Sequence, residues 1–275
     1  FRANPSHSDR EFLADLFQDL ARLPGMNELL DQNTNPLWQI GPTADGAKLV
    51  VDFFRAIDPE SGEVRWEFAH EDADTRFLGD LYQDLSESAR KRYALLQTPD
   101  FVESFILDRT LEPAIKEFGL ENTTLIDPTC GSGHFLLGAF ARLLSHWEQR
   151  GDNTTATVRV QRVLDAIAGV DVNPFAIAIA RFRLLLAALR AANCHRLADA
   201  PDFHFNLAAG DSLLHGNRPG PLGQRLRSLF DEDIDQVYEV EDAPALRRIL
   251  NRSYSAVVGN PPYITPKDKA LNLAY

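Results

Sequence analysis

Four short clusters in this chain combine residue types that can do chemistry. The most specific is Asn260-Pro261-Pro262-Tyr263. Neither proline donates a backbone hydrogen bond, and both have a fixed φ. The Asn260 amide oxygen and the Pro261 carbonyl are therefore acceptors with few internal competitors, and Tyr263 offers a flat face for stacking. Two converging acceptors and a ring suit an amino group on a planar π system. Such an amine is a poor nucleophile because its lone pair is delocalised. Acceptors on its hydrogens push it toward tetrahedral geometry and favour charge developing in a transition state.

The other clusters suit a separate, partly cationic ligand. Asp127-Pro128-Thr129-Cys130-Gly131-Ser132-Gly133 is a glycine turn led by a carboxylate. Gly131 and Gly133 allow a sharp bend and a close approach to a ligand. A phosphate loop would carry Gly-Lys-Ser/Thr; here Asp127 would repel phosphate and attract an α-amino group or a sulfonium. Asp171 can accept from two ribose hydroxyls, with Val172 as an apolar face for a purine. Asp211-Ser212 offers an acceptor for an exocyclic amine, although an aspartate at that place also suits a plain turn.

These clusters need elements to hold them. Thr98 is expected to cap a helix with Pro99 at its first position, and Gly119 to end it. Thr123–Ile126, Ala166–Val170, Phe205–Ala208 and Tyr254–Val258 read as short buried strands. Phe135–Trp147 and Phe175–Leu189 read as helices, the second capped by Asn173 and opened by Pro174. Asp127 and Asp171 are 44 residues apart, longer than in dinucleotide folds; the polar residues 151–160 read as the inserted loop. Alternating β and α with apolar strands predicts a parallel, doubly wound sheet, and each cluster falls just after the carboxyl end of a strand.

Upstream, residues 1–35 carry helical spacing broken at Pro24-Gly25. Residues 37–68 read as irregular, with Lys48–Phe54 as the best strand or buried run and Asp58–Gly62 as a turn. Helical spacing returns over Thr75–Ala94. The expected division is a mainly helical region, 1–96, beside a nucleotide-binding-type domain, 97–275.

The 275 residues have ordinary globular composition, 44% hydrophobic and 25% charged. Two cysteines rule out a disulfide scaffold and point to a reducing compartment. No apolar run is long enough to span a membrane and no leader opens the chain; the expected location is the bacterial cytoplasm. A start at Phe1 predicts a fragment or processed chain. The net charge of −12 disfavours non-specific phosphate binding, and Asp231–Asp242, with seven acids and no base, reads as a solvated loop.

The set Thr98-Pro99, Asp127-Pro-x-x-Gly-Ser-Gly133, Asp171, Asp211 and Asn260-Pro-Pro-Tyr263 resembles the S-adenosylmethionine-dependent, adenine-N6-specific DNA methyltransferases, in their order of motifs. The stretch from Asp74 through Leu137 is similar to the methyltransferases of phage growth limitation and BREX phage-defence systems. The resemblance implies a Rossmann-like core, S-adenosyl-L-methionine as cofactor, double-stranded DNA as partner, possible company of other phage-defence proteins, and no metal or membrane. It implies that Thr98 contacts the methionine part of the cofactor. Asp127, Pro128 and the Cys130, Gly131 and Gly133 backbone would hold its amino and carboxylate ends. Asp171 would hold the ribose, Val172 the adenine, and Asp211 with Ser212 the adenine amine. Asn260, Pro261 and Pro262 would hold the target amine, with Tyr263 on the target base, flipped out of the duplex. The chain stops twelve residues after Tyr263, so the domain is expected to be truncated on its C-terminal side, with most DNA contacts outside it.

Other readings fit less well. Cytosine-C5 methylation needs a Pro-Cys nucleophile, which is absent. Zinc lacks paired ligand spacing, and a nicotinamide enzyme would need Gly-x-Gly-x-x-Gly. A protein glutamine-N5 methyltransferase uses the same Asn-Pro-Pro-Tyr chemistry on a glutamine amide. A non-catalytic cofactor-binding scaffold would leave that motif without a purpose.

Overall fold

The computed structural model describes residues 6–38, 41–66, 75, 78, 98–151, 153–215 and 242–261. At its centre is a four-stranded sheet in the order β3-β2-β1-β4, made of β1 (Leu125–Asp127), β2 (Ile167–Asp171), β3 (Asn206–Ala209) and β4 (Ala256–Val257). All pairs are parallel, with Leu125 opposite both Ile167 and Ala256. From β1 the chain adds β2 and β3 on one side, then returns to place β4 on the other. The reversal of direction lies between β1 and β4, and open sheets bind ligands at the crevice this creates beyond the strand ends.

The strands are short, and those of β1 to β3 are largely buried on both faces, so their side chains alternate between two apolar layers, while Val257 of β4 is exposed. Leu125, Ile167 and Leu207 face the larger layer, with Leu136 and Leu143 of α4 (His134–Arg150), Val160 and Val163 of α5 (Ala156–Ala166), and Leu184 and Leu185 of α6 (Pro174–Ala191). Leu107 and Leu111 of α3 (Asp100–Phe118) join the same layer. Ile126, Ala168, Val170 and Ala208 face the other layer, closed by Ala245, Leu246 and Ile249 of α8 (Ala243–Leu250). A short α7 (Ser212–His215) follows β3.

Near the N-terminus α1 (Asp9–Ala21) begins with a capping box, Ser8 with Glu11, and the turn at Pro24-Gly25 follows it. Met26, Leu29 and Leu30 then enter the larger layer. The Asp58–Gly62 turn forms as expected: Asp58 Oδ1 accepts from the N–H groups of Glu60 (2.8 Å) and Ser61 (3.0 Å).

Three expectations are corrected. Lys48–Phe54 lies on a helix, α2 (Ala44–Arg55), not a strand. Its valines and phenylalanines have strand-forming character, but Thr43 caps the Gly46 N–H, and Ala47 and Val51, four apart, bury one face against Leu13. Thr98 does not cap α3: Pro99 is the capping residue, with no side-chain hydrogen bond, and α3 starts at Asp100. Residues 151–160 are not simply a loop, because α5 begins at Ala156, capped by Thr155; the long spacing between Asp127 and Asp171 accommodates a second helix. The helical spacing over Thr75–Ala94 and the acidic stretch Asp231–Glu241 lie outside the described residues, apart from Thr75 and Leu78.

Candidate active site

The acidic strand ends meet at the reversal point. Asp127, the last residue of β1, is almost fully buried, and its Oδ1 accepts from the Thr129 N–H at 3.0 Å. Burial raises its carboxyl to about 7; the Thr129 N–H opposes that rise, and the nearby Asp171 carboxylate adds to it. Burial likewise raises Asp171, against hydrogen bonds from the backbone of Asn173 and Gly131. Two neighbouring carboxylates held above their ordinary range make a site that a positive charge would relieve.

Asp171 also braces the glycine loop. Its Oδ2 accepts from the Gly131 N–H at 2.9 Å, and its Oδ1 from the Asn173 N–H at 2.9 Å. Helix capping is done by Asn173, whose side chain accepts from Phe175 N–H at 3.1 Å. A carboxylate has about four acceptor sites, so both oxygens retain capacity for hydroxyl donors.

The loop bends through two left-handed glycines, Gly131 (φ 53°) and Gly133 (φ 86°). A Cβ on Gly133 would lie 3.1 Å from Ala180 Cβ, so the loop packs onto α6 there; at Gly131 it would meet nothing within 4 Å. The loop is thus open on its Gly131 side. The Gly133 N–H is used by the Cys130 carbonyl and the Cys130 N–H by that of Val170, both at 2.9 Å. The Ser132 N–H has no partner among the described residues, which leaves a donor for an anion beside the start of α4.

Cys130 faces away from this chemistry. Burial pushes its thiol well up, and its Sγ packs against Gly169, where a Cβ would come within 2.9 Å of it. Pro128 is half-buried in the loop, and Val172 is half-buried after β2.

At the end of β3, Asp211 is buried, and its Oδ1 accepts from Leu213 N–H (2.9 Å) and Leu214 N–H (3.2 Å) at the start of α7. Ser212 lies half-buried beside it. The Gly210 N–H donates to the Asp171 carbonyl at 2.8 Å, which ties the β3 end to the β2 end.

Beyond β4, Gly259 lies against the β1 loop, where a Cβ would come 3.1 Å from both Asp127 Oδ1 and Thr129 Oγ1. Asn260 follows. Its Nδ2 donates to the Thr98 hydroxyl at 3.4 Å, and Thr98 is itself buried. With the NH₂ end held, the amide oxygen has no partner among the described residues. Pro261 is exposed; Pro262 and Tyr263 lie outside the described residues. The structure therefore brings together Thr98, Asp127, Gly131, Asp171 and Asn260 along one edge of the sheet, with Asp211 at the next strand end.

Two contributors were missed in the sequence. Gly259, just past the fourth strand, is given no role in the sequence reading, although a glycine directly before Asn-Pro-Pro marks a close backbone approach. Arg183 sits in the apolar run of α6 and is 1% exposed. Its Nη1 donates to the Ser132 carbonyl at 2.8 Å and Oγ at 3.3 Å, and its Nε to Thr75 Oγ1 at 3.2 Å. A buried cation on an apolar helix must find acceptors, and that was the available signal.

A parallel β3-β2-β1-β4 sheet with acidic strand ends and Asn-Pro after β4 defines a Rossmann-like methyltransferase core. Residues 111–272 match the MmeI DNA-methyltransferase domain model, and the chain belongs to that family. It is 48% identical over 278 residues to the adenine-specific methyltransferase PglX of Streptomyces coelicolor, covering 97% of this chain and 23% of that protein. It is 24% identical over 190 residues to a putative type II restriction enzyme and methyltransferase of Methanocaldococcus jannaschii, covering 50% of this chain and 16% of that protein. The chain thus spans under a quarter of the length of the curated relatives it matches. Among solved structures it is similar to a nuclease-deletion mutant of the Type ISP restriction-modification enzyme LlaGI, in complex with a DNA substrate mimic. That match has a TM-score of 0.50 and 15% identity, covering 90% of this chain and 18% of that one, and it supports the fold. Among the described residues no helix is long and apolar enough to cross a membrane.

Proposed function

We propose that this chain is the cofactor-binding and catalytic part of a bacterial, cytoplasmic DNA methyltransferase that moves a methyl group from S-adenosylmethionine to adenine N6 in double-stranded DNA, within a restriction-modification or phage-defence system. The observation that carries it is the Asn260 amide, anchored on Thr98 with its oxygen unpartnered among the described residues, at the crevice beside two carboxylates raised by burial.

The residues fit the cofactor. Asp127 and the Ser132 N–H present an acid and a donor, matching the ammonium and carboxylate of an amino-acid end. Asp171 has acceptor capacity for the ribose hydroxyls, Val172 an apolar surface for the adenine, and Asp211 and Ser212 border its amine. Bound there, S-adenosylmethionine supplies a methyl group on a positively charged sulfur. Asn260 Oδ1 and the Pro261 carbonyl accept the two hydrogens of the target amine and turn its lone pair out of the ring plane. Tyr263 stacks on the flipped base. No covalent bond to the protein is needed, which agrees with a protonated, buried Cys130. Adenine is favoured over a protein glutamine by the family and by the identity to PglX.

With a net charge of −12, most phosphate contacts come from outside this chain, and other defence proteins are candidate partners. The test is labelled-methyl transfer to unmethylated duplex DNA by the full-length gene product, with N6-methyladenine read after nucleoside digestion. The wild type should label DNA and Asn260→Ala should not. Label on protein glutamine, with none on DNA, would overturn the reading.

A further inference from the structure

We infer that Arg183 is a positioning residue for the amino-acid end of the cofactor: it holds the Ser132–Gly133 peptide in the orientation that exposes the loop's donors to the ligand. The inference rests on the cofactor reading above.

This peptide is gripped on both edges. Its carbonyl accepts from Arg183 Nη1 at 2.8 Å, and its N–H donates to the Cys130 carbonyl at 2.9 Å. A peptide held on one edge can flip and present its carbonyl where its N–H stood. In this loop a flip would set the Ser132 carbonyl against the Cys130 carbonyl and change the backbone angles on either side, and with them the direction of the adjoining Ser132 N–H. The Arg183 bond pins that carbonyl toward α6, away from the open side at Gly131.

The geometry uses the guanidinium as a fork. One nitrogen reaches both Ser132 oxygens, while Nε reaches Thr75 Oγ1 at 3.2 Å. A lysine carries the same charge but is a single point donor on a flexible stem and cannot span these partners. Arg183 is 1% exposed, so it reaches the ligand through the loop and not by direct contact. The clamp also joins Thr75 to the glycine loop.

The experiment compares two ligands by calorimetry. S-adenosylmethionine has the amino-acid end; 5′-methylthioadenosine keeps the adenosine and lacks it. Arg183→Lys should weaken S-adenosylmethionine about tenfold or more, the loss of one charge-assisted hydrogen bond, and leave 5′-methylthioadenosine unchanged. Equal weakening of both ligands, or of neither, in a folded variant would overturn the inference, since a merely structural arginine has no reason to discriminate. If Arg183→Lys does not fold, Thr75→Val decides: it frees one end of the fork and should shift the ratio of the two affinities in the same direction, and an unchanged ratio overturns the inference. Asp171→Ala separates the two levels. If the wild type binds S-adenosylmethionine and Asp171→Ala does not weaken it, the cofactor reading itself fails.

Discussion

The titration of Asp127 predicts a pH-dependent cofactor affinity whose size follows from the structure. In the free protein burial raises this carboxyl to about 7. A cationic ligand stabilises the ionised form, so binding pulls a proton off wherever the free site still holds one. If the complex keeps Asp127 ionised, the fraction of competent free sites is about one in eleven at pH 6 and about nine in ten at pH 8, an affinity gain of about tenfold. Folding stability has the opposite sign. The folded-state value lies above the ordinary 3.8, so between those values the unfolded chain has lost a proton that the folded chain retains. This contribution to stability is complete below 3.8 and is lost by about 1.4 kcal/mol per pH unit as the pH rises toward 7. The assay is calorimetric titration with S-adenosylmethionine from pH 6 to 8, on the wild type and Asp127→Asn, with thermal melts of the free proteins alongside. The wild type should gain affinity and lose melting temperature as pH rises; Asp127→Asn should show neither trend from this group. A flat wild-type affinity, or a slope that survives in the variant, would refute the reasoning.

Other perturbations have distinct signatures. Gly169→Ala would set a Cβ 2.6 Å from Leu136, 2.8 Å from Leu207 and 2.9 Å from Cys130 Sγ; urea denaturation should show about 1–3 kcal/mol lost, as for other overpacked cores. Thr98→Val removes the anchor of the Asn260 amide, and methyl-transfer kinetics should show a fall in kcat of about fivefold to tenfold, the value of one hydrogen bond. Cys130→Ala should keep transfer within about threefold, because a buried thiol raised in this way is no nucleophile; abolished transfer with intact cofactor binding would restore a covalent mechanism.

The parts of the site legible in the sequence were those whose chemistry is local. Asn173-Pro174 announces a helix start by side chain and fixed φ, and the structure has both. Asp127, Asp171 and Asp211 each follow an apolar strand, which places them at carboxyl ends without knowledge of the neighbours. What was not legible depends on contacts between distant segments. Thr98 looked like a cap because a cap needs only the next turn; its actual partner, Asn260, is 162 residues away. Gly259 and Arg183 matter because of what lies across from them. Lys48–Phe54 was misread because its β-branched and aromatic residues look like a strand, while the deciding features, the Thr43 cap and the Ala47/Val51 face, occupy few positions.

The strand order also governs when the protein acquires its properties. During synthesis β1, β2 and β3, with Asp127, Asp171 and Asp211, emerge before α8 and β4 exist. β4 then has to close back onto β1 across about 130 residues, Leu125 to Ala256, and long-range closures are slow compared with local ones. The carboxylate-bearing half of the crevice is laid down first from the N-terminal side, as domains are during translation, and Asn260 is delivered to it last. On the proposed reading, a nascent chain would present its cofactor-facing carboxylates before Asn260 joins them, and a substitution that loosens β4 from β1 should cost methyl transfer more than cofactor binding.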